Sequence, residues 1–420
     1  MKILVLGGGG REHALVWKMS QSPLTERIYC IPGNGGISDI AACHNFPLSD
    51  FRKIVEFVKE KNIDFTVVGP EQPLVTGIVD HFQSEKLPVF GPNKSAARME
   101  GSKIFSKEIM KKYQIPTAEF RSFDDMSSAN QYLSHISDGP VVVKADGLAA
   151  GKGSMVCQNI DEARFALDEM MSRRIFKEAG ARVLIEEHMT GIEASLFVVT
   201  DGKDYVTLAP AQDYKRALDD DKGKNTGGMG CYAPTPFLDE AIHSKVLKSI
   251  VEPILLALQR EDIIYKGVLY VGLMLTHEGP KVVEFNCRFG DPETQVVLPL
   301  LKTDLVEVMQ ATYHEGLGQI KIETIPEFAV CVVLASGGYP DAYETGKKIS
   351  GLDEVDRQVL VFHAGTKKEN SHYFTSGGRV LGVTAKALSF KESAKKVYHT
   401  IEKIQFGGMQ YRRDISRSVW

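Results

Sequence analysis

Val282-Val283-Glu284-Phe285-Asn286-Cys287-Arg288-Phe289-Gly290-Asp291-Pro292-Glu293 is the stretch around which the rest of this chain organises itself. From Lys281 to Phe289 apolar and polar residues alternate. A strand here would therefore turn Val283, Phe285, Cys287 and Phe289 to one face and Glu284, Asn286 and Arg288 to the other. Successive polar groups then repeat at about 7 Å. A carboxylate and an amide so placed are hard oxygen ligands suited to a magnesium ion that also holds phosphates. A guanidinium beside them can fork onto a phosphate or a carboxylate. Alternation alone describes the wet face of a surface strand just as well. The run continues into Gly290-Asp291-Pro292-Glu293-Thr294, turn residues of the kind found where a backbone approaches a ligand closely.

Upstream, Val141-Val142-Val143-Lys144 ends an apolar run in a lysine, which is costly to bury unless it meets an anion. The glycine-bearing turn that follows, with Gly151-Lys152-Gly153, can present N–H groups to phosphate oxygens before the chain returns to a strand at Ser154. It is no Walker A loop, since Asp146 stands where that motif's first glycine belongs. Val183-Leu184-Ile185-Glu186-Glu187-His188-Met189 is an apolar strand ending in acids. Such a segment suits adenosine, with backbone groups for the base edge and a carboxylate for ribose hydroxyls. Gln212-Asp213-Tyr214-Lys215-Arg216 and Asn225-Thr226-Gly227-Gly228-Met229-Gly230 read as a charged turn followed by a flexible glycine loop at the surface.

The first hundred residues alternate short apolar runs (Ile3–Leu6, Ile28–Ile31, Phe65–Val68, Val89–Phe90) with amphipathic stretches, and glycine or proline follows several of the runs. This predicts βαβ units in an open parallel sheet with ligands at the strands' carboxyl ends. From about residue 102 the pattern changes to a helix carrying Lys103 and Lys107 and then hairpin-like strands, with a long helix at about Asp239–Gln259. A third region begins near Phe328, with strands at Ala329–Ala335, Val359–Phe362 and Val380–Ala385 and a helix at Phe390–Lys403. At 420 residues, 43% hydrophobic and 25% charged, the chain has ample material for several globular cores. A net charge of -4 argues against nucleic acid as the main partner. No stretch reaches the length of a membrane span and no signal peptide precedes the first strand, so a cytoplasmic protein is expected. The cysteines Cys30, Cys43, Cys157, Cys231, Cys287 and Cys331 are scattered, without metal or redox spacing, as reduced thiols would be.

The order Lys103, Lys144, Glu186, Glu193, Glu284, Asn286 resembles that of the ATP-grasp ligases. The chain resembles one family among them, the phosphoribosylamine–glycine ligases or glycinamide ribonucleotide synthetases, from end to end. The motifs that carry this are Gly9–Leu15, Val68–Val75, Lys144–Gly153, Asn225–Gly230, Phe285–Gln295 and Thr375–Val380. The resemblance implies an α/β and α+β multidomain fold. It would comprise a parallel-sheet amino-terminal domain at 1–101, an ATP-grasp region at 102–327 with a mobile lid at about 120–190, and a small carboxy-terminal domain at 328–420. It implies that ATP, glycine and 5-phosphoribosylamine give glycinamide ribonucleotide, ADP and phosphate through glycyl phosphate, in purine synthesis, with Mg2+ or Mn2+ as cofactor. Lys103, Lys144 and Gly151-Lys152-Gly153 would contact ATP phosphates. Glu186 and the backbone of Glu187, His188 and Met189 would hold adenine, Glu193 the ribose, and Glu284 and Asn286 the metal. Arg288, Asp213 and Lys215 would be catalytic. The phosphoribosyl part would meet Gly10, Arg11, Glu12 and His13, then Asp291, Pro292 and Glu293, and Gly377, Gly378 and Arg379. A monomer is expected, with no nucleic-acid or membrane partner.

Three positions depart from the family pattern. Tyr270-Val271-Gly272-Leu273 lacks the third acid that other ATP-grasp branches carry, so waters and phosphates would have to complete a metal shell. Tyr214 replaces a histidine and His188 an aromatic residue. A nicotinamide-dependent oxidoreductase is disfavoured because Glu12 occupies the third glycine position of the dinucleotide fingerprint. Another ATP-grasp ligase, such as a carboxylase, and a non-catalytic ATP-binding module are the remaining readings.

Overall fold

The computed structural model describes residues 1–149 and 153–420. The amino-terminal sheet is fully parallel, in the order Ala42–Cys43, Arg27–Pro32, Lys2–Gly7, Phe65–Val68, Val89–Phe90. The chain winds away from Lys2–Gly7 in both directions, so the switch point lies between that strand and Phe65–Val68, where such sheets bind ligands. Glu12 fills this crevice. A Cβ on Gly69 would lie 2.2 Å from Glu12 Oε1, and one on Gly7 2.5 Å from Glu12 Cγ, so only glycine fits at either strand end. The Glu12 carboxylate also accepts the Gly9 N–H at 2.6 Å, capping the helix Gly10–Met19.

The middle region holds two sheets. A small antiparallel one, ordered Phe120–Phe123, Val183–Glu187, Val141–Ala145, Ser154–Cys157, closes on its own apolar core with the helices Met126–Leu133 and Ile160–Leu167. The other, ordered Tyr205–Thr207, Ile192–Thr200, Gly267–Thr276, Gly279–Asn286, shares a core with the amino-terminal sheet: Leu4, Leu6 and Phe82 meet Leu196, Val271 and Phe285. The expected long helix spans Glu240–Arg260 with a wider turn at Leu247–Val251. Asp239 caps it by accepting the Ile242 N–H at 2.8 Å.

Two expectations are corrected. The alternation at residue 283 is broken by a bulge: Gly272 pairs with Glu284 but Leu273 with Val282, leaving Val283 as the extra residue. The buried set is therefore Val282, Phe285, Cys287 and Phe289, and Val283 is not among it. The segments 212–216 and 225–230 are not a surface loop: Thr226 and Gly228–Gly230 are buried, and only the hairpin between them, Arg216–Leu218 with Lys222–Asn225, reaches the surface. Gln212–Asp213 and Gly230–Ala233 are strands that join Phe328–Ala335, Arg379–Ala387 and Leu360–His363 in a five-stranded antiparallel sheet. Middle and carboxy-terminal segments thus share one sheet, which brings the Gly227-Gly228 turn against Pro292 and Arg379. Among the described residues no helix is long and apolar enough to cross a membrane.

Candidate active site

The helix Lys103–Lys112 starts beside the glycine turn because Asp146 binds it there. Asp146 Oδ1 accepts the Ser102 hydroxyl at 2.9 Å and the Ile104 N–H at 2.8 Å, while Arg182 bonds the other oxygen at 2.5 Å. Lys103 thereby reaches the Gly147 carbonyl at 3.2 Å. Lys144, buried at the end of its strand, donates to Glu186 Oε2 at 2.8 Å and to the carbonyl of the bulged Val283 at 3.2 Å. The bulge therefore orients a carbonyl onto the lysine of the neighbouring sheet. Gly151 and Lys152 lie outside the described residues. Gly153 immediately precedes the returning strand Ser154–Cys157, its carbonyl accepting the Ala145 N–H at 2.8 Å.

Glu284 and Asn286 lie on the polar face of Gly279–Asn286 as predicted, half-buried, with no protein hydrogen bond to either side chain among the described residues. Burial raises the Glu284 carboxyl, but Lys215, Lys103, Lys144 and Arg288 together outweigh it and hold the group below the usual carboxylate range. The pair is one charged oxygen ligand and one neutral one, left open on one strand face. That set fits a magnesium ion that keeps waters and takes phosphate oxygens. No cluster of three His, Cys, Asp or Glu side chains suited to a metal occurs among the described residues, which agrees with Tyr270 and Gly272 in place of a third acid.

Glu186 faces Lys144 and Lys107, and Glu187, half charge-paired to Lys281 at 3.6 Å, ends the strand with its N–H on the Glu119 carbonyl at 3.0 Å. His188 and Met189 follow, half-buried. Glu193 bonds Lys215 at 2.5 Å, so the expected ribose acid and one expected catalytic lysine form an ion pair. Burial together with Glu293 and Glu193 pushes the Asp213 carboxyl up to about 7, against the pull of Lys215. Burial lowers the Lys215 ammonium, but Glu193, Asp213, Tyr270 and Glu284 raise it well above the ordinary lysine range. Glu293 accepts the Ser195 hydroxyl at 3.2 Å, and that hydroxyl meets the Tyr270 hydroxyl at 2.8 Å.

Arg288 is fixed by two acids that sequence reasoning did not assign. Its guanidinium meets Glu100 at 2.8 Å and Glu71 at 3.2 Å. Glu100 is buried and also accepts the Cys287 N–H at 2.8 Å. Glu71 lies in the motif Val68–Val75, whereas nothing local marks Glu100, which pairs across 188 residues.

The side chains of Arg11, Glu12 and His13 turn inward. Arg11 bonds Glu12 at 2.6 Å and the Phe289 carbonyl at 3.1 Å, and His13 Nδ1 accepts the His363 N–H at 2.8 Å. Gly10 abuts Gln295, where a Cβ would lie 2.6 Å from Nε2. Asp291 accepts Gln295 at 2.8 Å and pairs with Arg379 at 3.1 Å. Arg379 also binds the Asp291 carbonyl at 2.8 Å and the Gly227 carbonyl at 2.5 Å. Gly378 packs on Tyr339, and Gly377 gives its carbonyl to Ser336 at 2.9 Å. A cavity of about 320 Å³ opens among Gly8, Gly33, Asn34, Asp291, Thr366 and Arg379, beyond the carboxyl ends of Lys2–Gly7 and Arg27–Pro32. It draws together the glycine loop, the segment after the Glu-x-Asn strand and the closing Gly-Gly-Arg turn. Asn34 bridges its two sides, donating to the Gly8 carbonyl at 3.0 Å and the His363 carbonyl at 2.7 Å. A larger open groove of about 580 Å³ over Tyr205–Thr207 shares none of these residues.

Comparisons with known proteins bear on this geometry. The chain matches three phosphoribosylglycinamide synthetase families: the N domain over residues 1–100, the ATP-grasp (A) domain over 101–294 and the C domain over 329–418. A phosphoribosylamine–glycine ligase of Caldanaerobacter subterraneus is 50% identical over 99% of both chains. That of Clostridium acetobutylicum is 46% identical over 100% of both. The crystal structure of phosphoribosylamine–glycine ligase from Thermotoga maritima superposes with a TM-score of 0.85 at 34% identity, covering 99% of this chain and 100% of that one. A biotin carboxylase domain from Hydrogenobacter thermophilus, solved with MgADP, shares the fold at a TM-score of 0.74 and 16% identity over 98% of this chain and 91% of that one.

Proposed function

Because the chain belongs to the phosphoribosylglycinamide synthetase family, we propose that the residues gathered around Glu284, Lys144 and Arg379 carry that family's chemistry here. The chain is an ATP-dependent carboxylate–amine ligase. It joins glycine to 5-phosphoribosylamine, giving glycinamide ribonucleotide, ADP and phosphate in purine biosynthesis. The observation that carries the site assignment is the convergence of Lys103, Lys144, Lys215 and Arg288 on the open carboxylate Glu284.

A glycine carboxylate oxygen attacks the γ-phosphorus of ATP, ADP leaves, and glycyl phosphate remains. Lys103 and Lys144 offset charge on the nucleotide phosphates in this reading, which their influence on Glu284 supports. Arg288, held by Glu100 and Glu71, keeps a fixed guanidinium beside the transferring group. Glu284 and Asn286 would hold magnesium, or manganese in its place, which would supply charge neutralisation for the phosphates. The sugar amine next attacks the glycyl carbonyl carbon, phosphate leaves, and the nitrogen gives up a proton. Asp213, its carboxyl raised to about 7, is matched to accept it. The phosphoribosyl part takes the cavity of about 320 Å³, which Arg379, Thr366 and Ser376 line. Arg11, Glu12 and His13 shape that cavity from behind.

Glycyl phosphate must be kept from water. The small sheet at about 120–190 is suited to a lid, since it closes on its own core. The division at 1–101, 102–327 and 328–420 stands as a proposal, with the strands Gln212–Asp213 and Gly230–Ala233 crossing it. Six free thiols suit a cytoplasmic monomer of 46.4 kDa. The test is ADP release with glycine and phosphoribosylamine, omitting each in turn. Release that proceeds without either substrate overturns the reading.

A further inference from the structure

Lys107, one turn beyond Lys103, is 2% exposed, and no step of the reaction uses it. Its ammonium has three N–H donors and three acceptors: Thr117 Oγ1 at 2.8 Å, Glu186 Oε2 at 3.2 Å and the Ala118 carbonyl at 3.4 Å. The Phe120 ring, centred 5.6 Å away, covers it further. Among the described residues these three partners, two hydrogen bonds and one ion pair, occupy its donors. Lys144 differs: among the described residues it pairs with Glu186 Oε2 and donates to the Val283 carbonyl, which leaves one N–H unassigned there.

Both lysines grip the same oxygen of Glu186. The other, Oε1, is buried and receives no hydrogen bond from the described residues. Of the two Glu186 oxygens, Oε2 is taken by the lysines, so among the described residues Oε1 is the carboxylate oxygen open to a ligand donor. A buried carboxylate oxygen held as an acceptor welcomes an N–H and repels a carbonyl oxygen. We infer that Lys107 is a positioning residue for nucleotide choice: it pins Glu186 through Oε2 so that Oε1 stays a free acceptor for the exocyclic amine of adenine. Lys144 cannot do this alone, since a triphosphate draws on the same ammonium. Lys107, with its donors already committed, holds Glu186 in either state. The inference rests on the assignment of Glu186 to the adenine pocket.

The experiment measures direct binding of ATP and of inosine triphosphate, which carries a carbonyl where adenine carries its amine. Glycine and phosphoribosylamine are left out, so the outcome is separate from that of the ADP-release assay. Lys107→Met should weaken ATP about tenfold or more and shrink the preference for ATP over inosine triphosphate by a similar factor. In a separate turnover assay with glycine and phosphoribosylamine added, its kcat at saturating ATP should stay within about threefold, as expected for a contact outside the reacting atoms. Glu186→Gln should lose the same preference, and the double variant should be no worse than either single one, because both remove one interaction. Lys107→Gln keeps a donor and decides the matter if the methionine variant does not fold. Equal weakening of both nucleotides, or independent multiplication of the Lys107 and Glu186 effects, overturns the inference.

Discussion

Mild acid should loosen the seam between the amino- and carboxy-terminal regions, and the size of the effect follows from two histidines. His13 Nδ1 accepts the His363 N–H at 2.8 Å, and the two rings lie 5.6 Å apart. Burial and the neighbouring His363 lower His13 from 6.5 to about 3, while Asp39 pulls it upward. Burial lowers His363 from 6.5 to about 4, with Asp39 again opposing and Lys368 assisting. Both folded values lie below the unfolded one, so the fold favours the neutral rings. Stability is intact above about 6.5 and declines as pH falls towards the folded values, because the unfolded chain takes up protons that the folded one refuses. At pH 5 each ring costs about 2 kcal/mol and the pair about 4 kcal/mol relative to neutral pH, from 1.36 kcal/mol per pH unit. Against a stability on the order of 5–15 kcal/mol that is a large share. Urea unfolding at pH 7 and pH 5 measures it, with the double variant His13→Gln, His363→Gln as the comparison. The variant should escape about 4 kcal/mol of the wild-type decline. An equal decline in both proteins refutes the reasoning. Because Asn34 spans this seam beside the 320 Å³ cavity, KM for phosphoribosylamine should rise before global unfolding begins.

Other outcomes follow from the site. Glu284→Gln should cut turnover about 10²–10³-fold or more with the fold intact, and chelation of divalent cations should do the same to the wild type until magnesium is restored. Near-normal turnover of the variant would remove Glu284 from the metal site. Glu100→Gln leaves Arg288 with only Glu71, so it should cost about 3–5 kcal/mol in chemical denaturation and lower kcat more than it raises KM for ATP. Unchanged kcat would mean that Arg288 needs no such support. With Asp213 at about 7, kcat/KM for the amine should climb between about pH 6 and 8 and then level. Asp213→Asn should be slower by about 10²–10⁴-fold and lack that limb. The same limb in the variant would assign it to another group.

Much of this architecture was legible because local signals agreed with the tertiary outcome. Phe65–Val68 and Val89–Phe90 are apolar runs closed by Gly69-Pro70 and Gly91-Pro92, and they fold with those bounds. Gly267–Thr276 likewise matches its apolar run. The failures have physical causes. Gln212–Asp213 and Gly230–Ala233 are short and rich in polar or small residues, and they become strands only because Phe328–Ala335 offers an edge to Gly230–Ala233. The bulge at Val283 cannot be seen in a period of two, yet it sends a carbonyl to Lys144. Cys30 and Cys43, distant in any spacing rule, face each other across adjacent strands, as do Cys231 and Cys331. Lys144, Glu186, Glu284 and Asn286 were singled out by strand-end chemistry and order, and the fold sets Lys144 on Glu186 and leaves Glu284 and Asn286 on one open strand face. Glu100 and Lys107 were not, since their partners lie on other elements and their own surroundings read as ordinary helix.

The central claim is that this site activates glycine as an acyl phosphate before the sugar amine attacks. It is tested most directly with glycine carrying ¹⁸O in its carboxylate. If the γ-phosphoryl group passes to that carboxylate, one labelled oxygen leaves with inorganic phosphate for every glycinamide ribonucleotide formed, and mass spectrometry of the phosphate will find it. Phosphate free of label, alongside normal product formation, would contradict the account.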